Sequence, residues 1–101
     1  MSLPCGKADF EEREGRVVRV QGKDIAIFFS HGKYYALDNL CPADGGASLG
    51  KGFLDGDGEN VTCPWHGHSF NLKTGKSIFG DGEIKTYRIK SNNGELSIQL
   101  E

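Results

Sequence analysis

Apolar residues in this chain of 101 residues occur in short runs that are separated by Gly, Asn and Asp. Short runs of apolar, β-branched and aromatic residues between turn residues are typical of β-strands. We therefore predict seven strands, at residues 16–20, 25–29, 33–37, 60–62, 69–72, 84–90 and 95–100. Only the segment 8–14 has a composition that favours a helix, and this segment is short.

The turns between the predicted strands define the fold class. Turns at 21–24 and at His31-Gly32 connect the first three strands as a meander. The last two strands alternate apolar and polar residues around a turn at 91–94, which is the pattern of a hairpin with one solvated face. Because the chain is short and contains 15 glycines, we predict a single all-β domain over residues 1–101, built as an antiparallel barrel or sandwich.

Charge and apolar content limit the possible partners. Twelve Lys and Arg against fourteen Asp and Glu give a net charge of −2, and the basic residues are scattered, so nucleic acid is not expected as a partner. No apolar run approaches the roughly 20 residues that span a bilayer, and the first residues lack the pattern of a secretory signal. We expect a cytoplasmic protein without a membrane partner. The odd number of cysteines, three, then favours metal ligation or free thiols over a disulfide framework.

Two segments carry the candidate metal ligands. The Gly-rich stretch 41–58 begins with Cys41-Pro42, and a second stretch has the sequence Cys63-Pro64-Trp65-His66-Gly67. In each, the Cys precedes a Pro, which ends regular strand pairing and frees the thiolate to face a metal. Thiolate together with imidazole suits an iron–sulfur cluster, zinc or copper, and disfavours magnesium or calcium.

The two segments resemble the loops of the Rieske family, in which a Cys-x-His loop and a Cys-x-x-His loop hold a [2Fe–2S] cluster. The resemblance rests on Cys41-Pro42, on residues 45–49 and 52–57, and on residues 63–75, where the match is nearly complete. It implies the Rieske fold, in which a small cluster-binding subdomain of two loops, here at about residues 39–70, joins an antiparallel β-sandwich or barrel. It also implies that Cys41 and Cys63 bind one iron and that His66 binds the other.

The chain departs from the family pattern at one ligand position. The second imidazole is expected at residue 43, where this chain has Ala43. Asp44 is a candidate substitute because a shift of one residue in a Gly-flanked loop costs less than a lost metal bond. His68 or a water molecule are the other candidates for this position. A further alternative is a site that no longer holds a cluster.

The resemblance implies a function in electron transfer. It predicts a soluble Rieske-type ferredoxin that carries one electron from a flavin-dependent reductase to a terminal oxygenase and is not itself an enzyme. The two loops contain no Cys beyond Cys41 and Cys63, as in the low-potential members of the family. Two other functions stay open: a Rieske-fold interaction subunit without a cluster, similar to the small subunits of some nitrite reductases, and a mononuclear zinc or iron site.

Overall fold

The structure, a computed structural model, describes residues 2–39, 52–54, 58–62, 69–78 and 83–99. These residues form nine β-strands and no helix. The strands are β1 (Ser2–Lys7), β2 (Gly15–Val20), β3 (Lys23–Ser30), β4 (Lys33–Asp38), β5 (Phe53–Leu54), β6 (Asn60–Thr62), β7 (Ser69–Asn71), β8 (Thr86–Asn92) and β9 (Glu95–Gln99). None of the described segments is a helix that is long and apolar enough to cross a membrane.

Two antiparallel sheets make up the fold. The larger sheet has six strands in the order β1-β9-β8-β4-β3-β2, and β1 also approaches β2, so the sheet nearly closes into a barrel. The smaller sheet has three strands in the order β5-β6-β7. This arrangement confirms the prediction of an all-β antiparallel barrel or sandwich with a small additional subdomain.

Three hairpins in the larger sheet have tight turns that require a left-handed backbone. In each turn a non-glycine residue with positive φ precedes a glycine with positive φ, which is the requirement of a type I′ turn. These pairs are Gln21-Gly22, His31-Gly32 and Asn93-Gly94. The interpretation of His31 as a turn residue is therefore confirmed.

Strand β3, between β4 and β2, is buried on both of its faces and separates two hydrophobic cores. Ile25 and Ile27 face the inside of the barrel, whereas Ala26 and Phe28 face the small sheet, and all four are at most 1% exposed. Alternation along a strand explains this division, because successive side chains point to opposite faces. The small sheet adds one residue per strand to the second core, namely Leu54, Val61 and Phe70. Burial of these three side chains fixes the small sheet against the barrel.

Three details differ from the sequence-based expectation. The segment 8–14 is not helical, because Arg13 has a φ of 71° and its backbone N–H donates to the carbonyl of Phe29 instead of to a preceding helical turn. Residues 2–7, to which no strand was assigned, form β1 through pairing with β9. The Gly-rich stretch after Cys41 contains the short strand β5, which pairs with β6.

Candidate metal centre

The small sheet holds both ends of the segment that contains Cys63 and His66. The chain leaves the sheet after Thr62 and returns at Ser69, and these two residues are direct partners in the pairing of β6 with β7. Their hydroxyl oxygens lie 3.0 Å apart and form a hydrogen bond across the two strands. The segment 63–68 therefore starts and ends on neighbouring strands whose spacing is fixed by the sheet.

The same sheet also holds the end of the first candidate segment. Phe53, which directly follows Gly52, pairs with Thr62 of the neighbouring strand. Phe53, Thr62 and Ser69 consequently form one row across β5, β6 and β7. The row therefore brings together both ends of the segment 63–68 and the part of the first segment that follows Gly52.

The remaining end, at the start of the first segment, is attached to the barrel. Asn39 is buried, and its backbone N–H donates to the carbonyl of Asp24 at 3.1 Å. The backbone N–H of Asp38 donates to the carbonyl of Lys85 at 3.0 Å. These two bonds hold the chain between β3 and β8 immediately before it reaches Leu40 and Cys41.

A side-chain network further anchors this end. The hydroxyl of Tyr87 donates to the carboxylate of Asp38 at 2.5 Å and accepts a hydrogen bond from the ammonium of Lys23 at 3.2 Å. Burial raises the pKa of Tyr87, and the hydrogen bond to Asp38 raises it further. The bond to Tyr87 raises the pKa of Lys23. The two hydrogen bonds, one of them to a carboxylate, join β3, β4 and β8 and so stabilise the end of β4.

Two hydrogen bonds connect the small sheet to the barrel beside the two cores. Ser30 is fully buried, and its hydroxyl donates to the carbonyl of Gly58 at 2.6 Å. The guanidinium of Arg13 donates to the carbonyl of Leu54 at 3.3 Å. Because a buried polar group is costly when it is unpaired, the hydrogen bond of Ser30 favours one position of the small sheet against the barrel.

All the predicted ligands and candidate ligands lie outside the described residues: Cys41, Asp44, Cys63, His66 and His68. The same holds for Ala43. Among the described residues, no group of three or more His, Cys, Asp and Glu could hold a metal ion. Cys5 lies in β1 as a half-buried free thiol, and burial raises its pKa. Phe70 is 2% exposed and packs in the second core, on the face of the small sheet opposite to the row.

The donor chemistry fits an iron–sulfur cluster at three of four protein positions. Cys41, Cys63 and His66 would supply two thiolates and one imidazole, and the small sheet holds both ends of the segment 63–68 and the residues that follow Gly52. Ala43 supplies no donor atom at the position of the second imidazole. The set is therefore suited to a cluster whose fourth protein ligand is replaced by another group.

Several residues with a structural role at the site were not identified from the sequence. These are the hydroxyl pair of Thr62 and Ser69 and the network of Tyr87, Asp38 and Lys23. The hydroxyl pair has a local signal, because one polar residue stands on each side of the segment 63–68 in two predicted strands. The network has none, because Tyr87 is 49 residues from Asp38 and 64 residues from Lys23 along the chain.

Comparison with known proteins agrees with this fold. The model of the Rieske-like [2Fe-2S] domain matches residues 3–99. The ferredoxin component of the naphthalene 1,2-dioxygenase/salicylate 5-hydroxylase systems of Ralstonia sp. is 37% identical over 95 residues, which cover 92% of this chain and 88% of the relative. The chain thus belongs to the family of Rieske-like [2Fe-2S] domains.

Solved structures show the same architecture. The ferredoxin of Sphingomonas yanoikuyae B1 superimposes with a TM-score of 0.87 and 28% identity over the full length of both chains. A chain in the complex of reduced oxygenase and oxidized ferredoxin of carbazole 1,9a-dioxygenase matches with a TM-score of 0.83 and 27% identity, covering 98% of this chain and 100% of that one. An NADH-dependent nitrite reductase small subunit from Mycobacterium tuberculosis also shares the fold, with a TM-score of 0.87 and 20% identity over 100% of this chain and 96% of that one. The fold alone therefore does not separate ferredoxins from such subunits.

Proposed function

We propose that this chain is a one-electron carrier that binds a [2Fe–2S] cluster through Cys41, Cys63 and His66. When bound, such a cluster takes up and releases a single electron. The observation that supports the proposal most directly is the row of Phe53, Thr62 and Ser69, which joins the ends of the two segments that contain these ligands. The chain itself would contribute binding, orientation and exclusion of water, and no acid or base chemistry.

The proposed partners are a flavin-dependent reductase as electron donor and a terminal oxygenase as acceptor. The relative from Ralstonia is named as the ferredoxin component of a dioxygenase system, and a similar chain occurs in a complex with an oxygenase. Both names support an oxygenase as acceptor. The reductase is inferred from the resemblance to the low-potential ferredoxin type, which the absence of Cys beyond Cys41 and Cys63 in the two segments supports.

Anaerobic reconstitution with iron and sulfide is the test of cluster binding. We expect about two iron and two sulfide per chain, together with visible absorption bands and a rhombic electron paramagnetic resonance signal after reduction. A chain that takes up no iron would contradict the proposal and favour an interaction subunit of the nitrite reductase type. Zinc in stoichiometric amount without acid-labile sulfide would favour a mononuclear site instead.

Asp44 is the proposed replacement for the missing imidazole at position 43. A carboxylate is negative where imidazole is neutral, so a cluster with this ligand is expected to have a lower reduction potential than a cluster with two His ligands. We predict that Ala43→His raises the midpoint potential and slows the loss of the cluster in air. Protein-film voltammetry measures the first effect and the decay of visible absorption measures the second.

The ligand itself is distinguished by two matched variants. If Asp44 binds iron, Asp44→Ala should change the electron paramagnetic resonance g-values and shorten the lifetime of the cluster, whereas His68→Ala should leave both unchanged. The reverse result would assign the position to His68. If neither variant changes the spectrum, water is the fourth ligand and Asp44 is an ordinary residue of a turn.

A further inference from the structure

Two exposed apolar side chains flank the segment that contains Cys63 and His66. Phe53 is 61% exposed and pairs with Thr62, the residue before this segment. Ile78 is 45% exposed, and its backbone N–H donates to the carbonyl of Ser69, the residue after the segment, at 3.0 Å. Only one other large apolar residue of the described part of the chain is exposed, Val17 at 41%. Two of these three residues therefore lie beside the ends of the segment 63–68.

The register of the small sheet places both side chains on its outer face. Leu54, Val61 and Phe70 are direct partners and point into the core. The neighbouring positions therefore point outward. Ile78 extends this outer row beyond Ser69, because the adjacent Ser77 is bridged to Phe70. The outer row is Phe53, Thr62, Ser69 and Ile78, and at about 4.8 Å per strand it is about 14 Å long.

The two ends of the row are suited to burial against another protein. Of the two polar members between them, Ser69 is already buried, at 9% exposed, and its hydroxyl is hydrogen-bonded to that of Thr62, so a partner that covers the row leaves both hydroxyls paired. The two end residues, Phe53 and Ile78, are apolar, and their removal from water is favourable. Large apolar side chains surrounded by paired polar groups are typical of the centre of a protein interface.

From this arrangement we infer that Phe53 and Ile78 form the apolar contact through which the chain docks onto the terminal oxygenase. The inference rests on the proposed function, because the oxygenase must approach the segment that contains His66 in order to receive an electron. Continuity with that segment selects the oxygenase over a second copy of the chain. The contact is small, which agrees with the transient interfaces below about 1,200 Å² that redox partners use.

The test measures electron transfer to a defined probe, the purified terminal oxygenase of a naphthalene 1,2-dioxygenase system. The reconstituted and reduced protein is mixed with the oxygenase in a stopped-flow instrument, and the second-order rate constant is recorded. Phe53→Ser and Ile78→Ser are each expected to lower this constant about tenfold. Val17→Ser is the matched control, because Val17 is similarly exposed but lies in β2, and it should change the rate constant less than twofold.

Two further readouts separate docking from effects on the cluster. The midpoint potential and the visible spectrum should be the same in all three variants and in the unchanged protein. The tenfold effect should persist at high salt, because an apolar contact is not screened as an ion pair is. A rate constant that is unchanged in Phe53→Ser and Ile78→Ser, or that falls equally in Val17→Ser, would overturn the inference.

The outcome also distinguishes this inference from the proposed function. If the protein without substitutions takes up no iron, both the proposed function and this docking surface are overturned. An unchanged protein that has a reducible cluster but does not reduce the oxygenase leaves the electron carrier intact and excludes the oxygenase as the partner at this surface.

Discussion

Gly75→Ala is expected to lower the free energy of unfolding by about 3 kcal/mol or more, which is a large fraction of the stability of a small domain. Gly75 has a φ of 75°, in the left-handed region that a residue with a Cβ rarely adopts. An added Cβ would overlap the carbonyl oxygen of Ile84. The backbone has little freedom to move away, because the N–H of Gly75 donates to Asn71 and its carbonyl accepts from Ile84, both at 2.7 Å.

Gly94→Ala is the matched control for this prediction. Gly94 has a similar φ of 80° but no atom within 4 Å of the position of an added Cβ. Only the cost of the left-handed backbone conformation remains, and we expect the free energy of unfolding to fall by about 1 kcal/mol. Urea unfolding of both variants and of the unchanged protein measures the difference. Equal losses would show that the contact with Ile84 is relieved by a local shift and that the turn after β7 is less constrained than its hydrogen bonds indicate.

The larger sheet was predictable from the sequence because its strands are specified locally. β2, β3, β4, β8 and β9 are apolar or alternating runs. Short turns that contain Gly join β2 to β3, β3 to β4 and β8 to β9, and these three turns use residues that tolerate positive φ. In contrast, β1 contains Pro4, Cys5 and Gly6, which are poor or neutral strand formers. It exists because β9 offers an unpaired edge, and its pairing shifts register between Pro4 and Gly6. Such a strand depends on tertiary contacts and has no local signal.

For the site, the sequence proposes donor atoms but does not predict the surface around them. Spacing, residue type and the resemblance to the Rieske family select Cys41, Cys63 and His66 as candidate ligands, and this selection stays a prediction. The exposure of Phe53 could not be predicted, because an apolar residue in a Gly-rich stretch is equally compatible with a buried position. Only the pairing of β5 with β6 shows that Leu54 points into the core and that Phe53 points outward. Which side chain of a two-residue strand points into the core depends on its pairing with the neighbouring strand and cannot be predicted from the sequence of the strand itself.

Cys63→Ala is expected to abolish cluster binding, with iron per chain falling from about two to near zero after the same reconstitution. The variant removes one of the two proposed thiolate ligands, so Cys41, His66 and the proposed replacement Asp44 would remain. The iron assigned to the two thiolates would then keep a single protein ligand and be under-coordinated. Visible absorption, iron content and acid-labile sulfide measure the result.

Cys5→Ala is the control that shows whether the loss of iron in Cys63→Ala is specific to Cys63. Cys5 lies in β1, paired to β9 and partly packed against the barrel core, and burial raises its pKa. A thiol with a raised pKa is protonated at neutral pH and is a poor ligand, because metals bind the thiolate. Cys5→Ala should therefore bind as much iron as the unchanged protein. If Cys5→Ala instead loses iron, the cluster uses a thiolate from the barrel, and the two thiolates assigned to the loops would have to be reassigned.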